Sequence, residues 1–314
     1  DLGQALTTDI GNGDGKTFGE IVEIFTPKLT ERNFLNNFEF TWARLEVQGL
    51  HQTGGAELNG NKLRYLNQNS SSVLNALSLD QSAFYYQGGV KAVFSVGGDE
   101  YAYVAYIKDD CASASLLSMN TGKILLQLTC VPIEQVNLAG VGGGVFKLTE
   151  NEFLLATGTP TDGLVSNQIN PLAQDPASLW GKILKLTFIN NELTVEVISK
   201  GHRNSQGITK IGSDIIAVEH GPKGGDEVNI IVQDGNYGWP LQSFGSEYNL
   251  SDINKGDAGI ASHRLPLLSF VPSIGISDVG VCPETYSNYY LPYSCVAVSS
   301  MVGNSIFFIV HNGQ

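Results

Sequence analysis

The chain is organised as short apolar runs that are separated by turns rich in glycine and asparagine. The runs hold about four to eight residues and are enriched in valine, isoleucine, leucine and tyrosine, which is typical of β-strands. Pairs such as Gly97-Gly98 and Asp234-Gly235 mark the turns between runs. The pattern predicts strands over residues 90–96, 101–107, 123–129, 152–157, 182–188, 193–198, 215–218, 228–232, 296–300 and 305–310.

Helical periodicity is weak throughout, and residues 19–35 are the best candidate for a helix. Apolar stretches at 21–25 and 38–45 could form strands. The regular alternation of strands and turns predicts an all-β fold, which is a sandwich, a barrel or a propeller. Because a propeller blade takes about 40–50 residues, a chain of 314 residues would hold about six blades.

The chain carries a formal net charge of −13, although only 16% of its residues are charged. No basic stripe is present that could neutralise phosphates, so the composition argues against nucleic acid and anionic membrane surfaces as partners. No run of about 18 apolar residues occurs, which predicts that the chain does not insert into a membrane. The N-terminus lacks a basic region followed by an apolar core, so a signal peptide was either removed or never present.

The four cysteines bear on the cellular compartment. Cys111 and Cys130 lie at almost equal distances on either side of the turn Asn120-Thr121-Gly122, so two strands meeting at that turn would bring them together. Cys282 and Cys295 bracket a tyrosine-rich segment in the same way. We therefore predict two local disulfides and an oxidising compartment, which is secreted, periplasmic or on the cell surface. The alternative is four buried free thiols in a cytosolic protein.

Three glycine-rich motifs that carry charged residues follow one another closely in the chain. They are His-Arg-Asn-Ser-Gln-Gly at 202–207, Glu-His-Gly-Pro-Lys-Gly-Gly-Asp-Glu-Val-Asn at 219–229 and Gly-Asn-Tyr-Gly-Trp-Pro at 235–240. Short apolar runs of strand length separate the motifs, so consecutive turns would aim their charged side chains towards one end of a sheet. A structural loop needs turn formers but not this charge, and the motifs therefore predict a functional site.

In order and spacing, these motifs resemble those of the soluble quinoprotein glucose/sorbosone dehydrogenases, also called aldose sugar dehydrogenases. Leu-Trp-Gly-Lys-Ile-Leu-Lys-Leu at 179–186 resembles the family's Gly-Lys-Ile-Leu-Arg strand. The resemblance implies a six-bladed β-propeller over residues 51–314, preceded by an N-terminal extension over 1–50. It is specific over about 140–240, looser over about 85–140 and 265–314, and not visible before about residue 50.

The resemblance also implies a cofactor and an ion. In the family, pyrroloquinoline quinone (PQQ) lies flat across the axial face of the propeller, and a calcium ion bridges it to the protein. The carbonyl groups of Gly221 and Pro222 would face the calcium, which prefers oxygen ligands. Asp226 and Glu227 could complete a second ion site on the same loop. Alternatively, these two carboxylates only cap backbone amides of a tight connecting loop.

Arg203 and Asn204 match the family's pair that contacts the quinone. An arginine presents a planar fork of donors that suits a carboxylate or a quinone oxygen. Alternatively, Arg203 forms a salt bridge to Glu219, Asp226 or Glu227 and ties neighbouring blades together. The two histidines of the motifs do not stand at the family's base position, and hydrogen-bonded structural roles suit them better.

The sequence departs from the family at positions that carry the chemistry. The family's catalytic base is a histidine in an early blade, and Ser95 aligns with it in the segment 88–96. A hydroxyl group cannot take a proton from a sugar near pH 7, whereas an imidazole can. A second histidine is replaced within 138–144, Val302 stands where a basic residue is expected, and the family's final arginines are missing because the chain stops at Gln314. Together these losses predict that the chain does not run the family's reaction.

Three functions follow from these observations. The first is a non-catalytic, calcium-stabilised extracellular module that binds a carbohydrate or a protein or has a structural role. The second is a divergent PQQ- and calcium-dependent oxidoreductase that oxidises an aldose-like sugar. The third is a surface or filament subunit, present as a homo-oligomer or polymer, that uses the propeller as a rigid block.

Closure of the ring is the last expectation. A propeller avoids open sheet edges by pairing its first and last strands. The family-like part of the chain ends with the strand at 305–310, without the later strands of a final blade. We therefore predict that the N-terminal segment or a neighbouring subunit pairs with the last blade.

Overall fold

The computed structural model contains mostly strands, which confirms the all-β prediction. The described helices are short: the α-helix α1 (Ser71–Leu77) has seven residues, and 3-10 helices cover Gln81–Phe84 and Leu138–Gly140. None of the described helices has the length and apolarity needed to cross a membrane. The structure describes the backbone of residues 21–23, 31–35, 38–42, 54–59, 62–133, 136–160, 172–190, 192–246, 263–282, 294–303 and 305–311.

Each predicted apolar run coincides with a strand, and these runs account for ten of the 22 described strands. In chain order the strands are β1 (Ile21–Glu23), β2 (Glu31–Leu35), β3 (Phe38–Trp42), β4 (Gly54–Asn59), β5 (Lys62–Asn67), β6 (Gly89–Val96), β7 (Asp99–Lys108), β8 (Cys111–Ser118), β9 (Ile124–Gln127), β10 (Val131–Pro132), β11 (Gly142–Lys147), β12 (Glu152–Thr157), β13 (Lys182–Ile189), β14 (Glu192–Lys200), β15 (Ser205–Ile211), β16 (Asp214–Glu219), β17 (Asp226–Ile231), β18 (Gly235–Asn236), β19 (Leu268–Phe270), β20 (Ile276–Val281), β21 (Ser294–Ser300) and β22 (Ser305–His311).

The described strands form six sheets. Five of them have three to five strands and pair mainly neighbours in sequence, with β1–β5 and β14–β18 as long-range pairings, and the sixth is the two-stranded hairpin β2–β3, which we call the N-terminal hairpin. The orders are β1-β5-β4 in sheet I, β10-β8-β7-β6 with β9 beside β8 in sheet II, β11-β12-β13-β14-β18 in sheet III, β15-β16-β17-β19 in sheet IV, and β20-β21-β22 in sheet V.

The structure differs from the sequence expectations in two respects, which are the segment 19–35 and the number of strands. Residues 19–35 do not form a helix, because β1 and β2 occupy parts of that segment. The backbone of β1 and β2 is extended because β1 pairs with β5 and β2 pairs with β3. Several strands escaped prediction, including β4, β5, β8, β11, β15 and β20. In β8 the first residues are small (Cys-Ala-Ser-Ala-Ser) and lack the β-branched side chains that mark a strand.

The innermost strands of the five sheets lie side by side in the order β4, β6, β11, β15 and β20. Glycines allow this approach: a Cβ at Gly144 would lie 3.1 Å from the backbone nitrogen of Gly207, and one at Gly207 would lie 2.8 Å from Cα of Asp278. Each of these glycines is the third residue of its strand, as Asp278 is of β20. The innermost strands therefore run parallel and level, and all begin at the same end of the row.

We call that end the leading face; it is formed by the residues that come just before β6, β11, β15 and β20. Apolar cores fill the space between successive sheets. Between sheets II and III, for example, the rings of Phe94 and Phe153 have centroids 4.7 Å apart, and those of Tyr101 and Phe188 are 4.8 Å apart. Similar clusters join sheet III to sheet IV and sheet IV to sheet V. Face-to-face packing of consecutive sheets around aligned inner strands is typical of propeller blades.

Both predicted disulfides are confirmed. Cys111 is joined to Cys130, and Cys282 to Cys295, with Cα–Cα separations of 5.4 Å in each case. The first bond links the start of β8 to the residue before β10, so it staples the hairpin that the sequence symmetry predicted. Cys282 and Cys295 are both buried beside Phe308 in sheet V.

Closure and the number of blades stay predictions. Of the described strands in the N-terminal segment, β1 pairs with β5 at the outer edge of sheet I, and β2 pairs with β3. Among the described strands, β22 pairs with β21. The proposed division into an extension over 1–50 and a propeller over 51–314 is likewise a prediction, because most of residues 1–53 lie outside the described part of the chain.

Candidate functional site

The three motifs meet on the leading face. The strand β18 returns from the end of sheet IV to pair in parallel with β14 in sheet III. This return lays the third motif against the first: the ring of Tyr237 stacks on His202 with centroids 4.7 Å apart, and the guanidinium of Arg203 lies 5.3 Å from the ring centroid of Trp239. The predicted convergence of the motifs is therefore correct.

The first and second motifs are joined by a buried hydrogen-bond chain. Ser199 Oγ lies 2.8 Å from His202 Nε2, and His202 Nδ1 lies 3.2 Å from Glu219 Oε2. Glu219 Oε2 also accepts hydrogen bonds from Ser205 Oγ and the backbone amide of Arg203. The serine, histidine and carboxylate have the connectivity of a hydrolase triad. All three are buried, however, so no substrate reaches the serine, and the chain holds the start of β15 against β16.

A second buried carboxyl group, Glu227, lies opposite Glu219 in the β16–β17 pairing. Burial, and then the negative charge of Glu219, raise the pKa of Glu227 well above its ordinary value. Burial also acts to raise the pKa of Glu219, but attraction to His202 and hydrogen bonds from His202, Ser205 and the Arg203 amide outweigh it and hold that pKa low. Within the pair, burial and charge thus favour a proton on Glu227 and the negative charge on Glu219.

Asp226 caps two loops of the leading face. Its Oδ1 accepts the backbone amide of Gly221 at 3.1 Å, and its Oδ2 accepts those of Ile274 and Ile276 at 3.0 and 3.1 Å. The side chain is 1% exposed. This is the alternative role that the sequence left open, since both oxygens serve backbone amides and tie the second motif to the loop before β20.

Calcium was predicted on the Gly221-Pro222 loop. Asp226 is occupied with amides, and Glu227 accepts a hydrogen bond from Asn229 and faces Glu219, so neither carboxylate is turned to a shared ion. Within the described residues, no group of three or more His, Cys, Asp or Glu is arranged to hold a metal. The donor set left for calcium is the backbone carbonyls of the loop, and the second ion site at Asp226 and Glu227 does not fit.

The two residues matched to the quinone contacts are engaged within the protein. Arg203 is 8% exposed and donates from Nη1 to the carbonyl of His220 at 3.3 Å. Asn204 is equally buried, and its Oδ1 accepts the backbone amide of Gly142 at 3.2 Å. The alternative salt bridge from Arg203 to Glu219, Asp226 or Glu227 is not among its described contacts, which include the carbonyl of His220 and the indole ring of Trp239. Both side chains are thus largely buried against the protein's own backbone, whereas binding a tricarboxylate needs donors that face outwards.

His220 is the partly exposed titratable group beside Arg203. Its Nδ1 lies 3.9 Å from Asp226 Oδ1, and its side chain is 21% exposed. Burial lowers the pKa of His220, and the nearby positive charge of Arg203 lowers it further, whereas Asp226 and Glu219 act in the opposite direction. The imidazole is therefore neutral at pH 7 and is the group in this site that could accept a proton.

The structure separates Ser95 from the site. Ser95 is the seventh residue of β6, so it lies about 20 Å along the strand from the leading face. Its hydroxyl and its amide both donate to the carboxylate of Glu57 in β4. Ser95 thus stands at the far end of the row, where it ties sheet I to sheet II, and not where a base for this site would have to be.

Val302, which stands where the family resemblance expects a basic residue, lies at the rim of the leading face. Its amide donates to the carbonyl of Ile274, and it is strongly exposed in the turn between β21 and β22. Met301, Val271 and Phe244 are exposed large apolar side chains on the same rim, around the loops that Asp226 caps. The segment 138–144 also reaches the site, through the contact of Gly142 with Asn204.

Sequence reasoning missed Lys182, which supports the site from below. Its ammonium group is fully buried and donates to the carbonyls of Leu172, Ala173 and Trp180 at 2.8–3.0 Å. Burial lowers the pKa of Lys182 to about 8. Lys182 lies in a predicted strand whose other residues are mostly apolar. A charged residue in such a strand is the signal that could have identified it.

Comparison with known proteins finds a family similarity over the segment that holds the site. Residues 134–288 match the family model described as Glucose / Sorbosone dehydrogenase. The aldose sugar dehydrogenase YliI of Escherichia coli K12 is 38% identical over 99 residues, which is 27% of this chain and 27% of that protein. The quinoprotein glucose dehydrogenase B of Acinetobacter calcoaceticus is 34% identical over 77 residues, 21% of this chain and 16% of that protein.

The matched stretches thus span about a quarter or less of these relatives' length. The fold extends further than the sequence match. The crystal structure of the soluble aldose sugar dehydrogenase from Escherichia coli in its apo form aligns with a TM-score of 0.54 at 21% identity, covering 72% of this chain and 70% of that one. Residues 134–288, which contain all three motifs, are therefore related to the glucose/sorbosone dehydrogenase family, as the motifs predicted.

Proposed function

We propose that this chain is a binding or structural module built on the sugar dehydrogenase fold, and that it does not oxidise sugars. The observation that carries the proposal is the state of Arg203 and Asn204. Arg203 donates to the carbonyl of His220, Asn204 accepts the amide of Gly142, and both side chains are only 8% exposed, which supports a structural role over contact with a quinone. Arg203 and Asn204 therefore connect segments of the protein and do not serve as cofactor contacts.

The rim of the leading face supports a binding role. A monomer surface that gathers large exposed apolar side chains is typical of a contact surface. Here Phe244, Val271, Met301 and Val302 surround the capped loops, and Val302 supplies an apolar group where the family resemblance expects a cation. The partner is a protein or a carbohydrate outside the cell, and assembly into a homo-oligomer or polymer uses the same kind of surface.

The two disulfides support a location that is secreted, periplasmic or on the cell surface, because such bonds persist in oxidising compartments. The acidic net charge of −13 fits a partner other than nucleic acid.

A divergent oxidoreductase is the second candidate, and His220 is the observation that favours it. The imidazole is partly exposed beside Arg203, and burial keeps its pKa low, so it is neutral at pH 7. In that function PQQ would supply the hydride acceptor. His220 would accept the proton of the sugar hydroxyl, and Arg203 would orient the reactants only after giving up its backbone contact.

A dye-reduction assay separates the two candidates. We expect no sugar-dependent dye reduction above background when PQQ, calcium and a panel of aldoses are added to the purified protein. The Escherichia coli aldose sugar dehydrogenase serves as the positive control under the same conditions. Turnover that disappears in both His220→Gln and Arg203→Ala would instead establish the oxidoreductase, because those variants remove the base and the orienting cation separately.

A calcium ion on the carbonyls of Gly221 and Pro222 is expected to stabilise the fold by mass action. At a calcium concentration of 100 times the Kd, the gain is about 2.7 kcal/mol. We expect a chelator to lower the Tm of the protein and excess calcium to restore it, measured by differential scanning calorimetry. Asp226→Asn should leave the calcium response intact, because Asp226 is committed to amides. An unchanged Tm with chelator would remove calcium from the proposal.

A further inference from the structure

Three neighbouring inner strands carry a β-bulge close to the leading face. The pairing of β6 with β7 passes over Lys91, and the pairing of β15 with β16 passes over Gln206. In β11, the residues Gly143 and Gly144 together face the single residue Ala156 of β12. A bulge re-aims the side chain of the extra residue, and bulges are common beside functional sites. The three bulges therefore decide where the side chains of Lys91 and Gln206 point.

The bulged residues lie side by side. A Cβ at Gly143 would lie 2.9 Å from the carbonyl oxygen of Lys91 and 3.1 Å from its Cβ. A Cβ at Gly144 would lie 3.2 Å from the carbonyl carbon of Gln206. Lys91 and Gln206 thus stand on either side of a strand that carries no side chain at this level. Any side chain on β11 would compete with Lys91 for the same space.

Both polar side chains turn back towards the leading face. Lys91 Nζ donates to the carbonyl of Gln87, four residues earlier, at 2.7 Å, and Gln206 Nε2 donates to Oδ1 of Asn204, just before β15. The side chain of Lys91 is partly exposed, and yet burial lowers the pKa of Lys91 to about 8. A group that is accessible but poorly solvated lies in a recess. We call the space between Lys91 and Gln206, over Gly143, the β11 recess.

Lys91 lacks an acidic partner in the described part of the chain. Although the sequence has 31 acidic residues and only 18 lysines and arginines, no described carboxylate forms a salt bridge with Lys91. The carbonyl of Gln87 takes one of the three N–H donors of the ammonium group. A cation that is partly removed from water without a counter-ion is costly. The remaining donors suit an anion, because a charge-assisted hydrogen bond to a carboxylate is among the strong ones.

Gln206 adds an acceptor to the recess. Its Nε2 is committed to Asn204, whose Oδ1 is held in turn by the backbone amide of Gly142. This bond fixes the amide group, and its Oε1 has no partner among the described residues. An amide oxygen accepts a hydrogen bond from a hydroxyl group. The recess thus pairs a cation with an acceptor for hydroxyls.

The loop before β6 forms one wall of the recess. Tyr86 and Gln87 both have a left-handed backbone, with φ of 55° and 62°. Non-glycine residues in this region cost stability, and they cluster at ligand-binding sites. The carbonyl of Tyr86 accepts the amide of Leu138, and that of Gln87 accepts the ammonium of Lys91, so the loop is fixed in place. Tyr85 and Tyr86 are 65% and 55% exposed and offer rigid aromatic contact area.

We propose that the β11 recess binds an acidic sugar, a hexuronate such as glucuronate. Lys91 donates to the carboxylate, Gln206 Oε1 accepts from a hydroxyl, and the exposed tyrosines flank the ring. The inference rests on the proposed function, because it names the carbohydrate that a non-oxidising module would hold. Lys91, which supplies the charge, lies outside the three glycine-rich motifs.

Isothermal titration calorimetry at pH 7 tests the recess with glucuronate and with glucose, which lacks the carboxylate. We expect glucuronate to bind about tenfold tighter than glucose or better, and Lys91→Gln to remove that advantage. Lys210→Gln is the matched control, because it makes the same change at an exposed lysine towards the other end of β15. The control should leave the affinity for glucuronate unchanged.

Acetylation of the unmodified protein keeps the test open if Lys91→Gln does not fold. At about ten times its Kd, glucuronate should slow the acetylation of Lys91 by N-hydroxysuccinimide acetate about tenfold, as read by peptide mass spectrometry. Acetylation of Lys210 should not change. Equal affinities for glucuronate and glucose, or a Lys91 that glucuronate does not protect, would overturn the inference. Protection by PQQ in place of glucuronate would assign the recess to the quinone.

The two proposals fail separately. Absence of glucuronate binding, together with absence of dye reduction, would remove the acidic sugar and leave the non-oxidising module standing. Dye reduction that depends on a sugar would remove the non-oxidising module, and protection of Lys91 would still report whether the recess holds glucuronate.

Discussion

Replacing Asp226 with alanine is expected to lower the free energy of unfolding by about 3–5 kcal/mol. The carboxylate is 1% exposed and accepts three backbone amides, from Gly221, Ile274 and Ile276. Alanine leaves all three donors unsatisfied in a buried site, and each such loss costs about 1–3 kcal/mol before the loops relax. Urea denaturation at pH 7 measures the change directly.

Asp214→Ala is the matched control, because that aspartate sits in the β15–β16 turn and bonds only the neighbouring Ser213 hydroxyl among its described partners. It should change stability by no more than about 0.5 kcal/mol. Asp226→Asn should fall between the two, since the amide keeps one acceptor but turns a donor towards other donors. A loss in Asp226→Ala as small as that in the control would mean that the loops do not depend on this carboxylate.

Replacing Glu227 with glutamine should make the protein more stable at alkaline pH. Burial and then the charge of Glu219 raise the pKa of Glu227 above its ordinary value of 4.5. A raised folded-state pKa means that stability is fully present below the unfolded value and is lost as pH rises through the folded value. Glutamine cannot ionise, can still accept from Asn229, and can donate to Glu219, so it avoids that loss.

We expect Glu227→Gln to match the original protein within about 0.5 kcal/mol near pH 5, and to exceed it by about 1–3 kcal/mol near pH 8.5, the cost of a buried charge without a partner. Denaturation curves at the two pH values give the comparison. Glu192→Gln, an exposed position at the start of β14, should show no such pH dependence. A pH-independent effect of Glu227→Gln would mean that this carboxyl group does not hold the proton of the pair.

Local features of the sequence were sufficient to predict much of the fold. The apolar runs located about half of the described strands, the symmetric cysteines gave both disulfides, and the order of three glycine-rich motifs indicated the family. These signals are local in sequence, because each consists of residues that lie close together in the chain. The convergence of the motifs also followed, because each lies at the end of a strand in neighbouring sheets.

The interactions that decide the chemistry of the site connect residues far apart in the chain. The amides that Asp226 caps lie 48 and 50 residues later. Glu57, which binds Ser95, lies 38 residues earlier. Sequence spacing cannot give such distances, since they depend on how sheets align in the row. The family resemblance also aligned Ser95 with the catalytic histidine. The level packing of the inner strands nevertheless places Ser95 at the end of the row opposite the leading face.

The buried chain from Ser199 through His202 to Glu219 has a practical consequence for how this protein is classified. A geometric search for serine hydrolase centres would recognise its distances, because such searches compare atoms and not access. Serine-reactive fluorophosphonate reagents need an open path to the hydroxyl, and here the aromatic ring of Tyr237 lies flat on the imidazole. The native protein should therefore go unlabelled in a proteome-wide survey with such reagents, whatever a geometric template assigns to it.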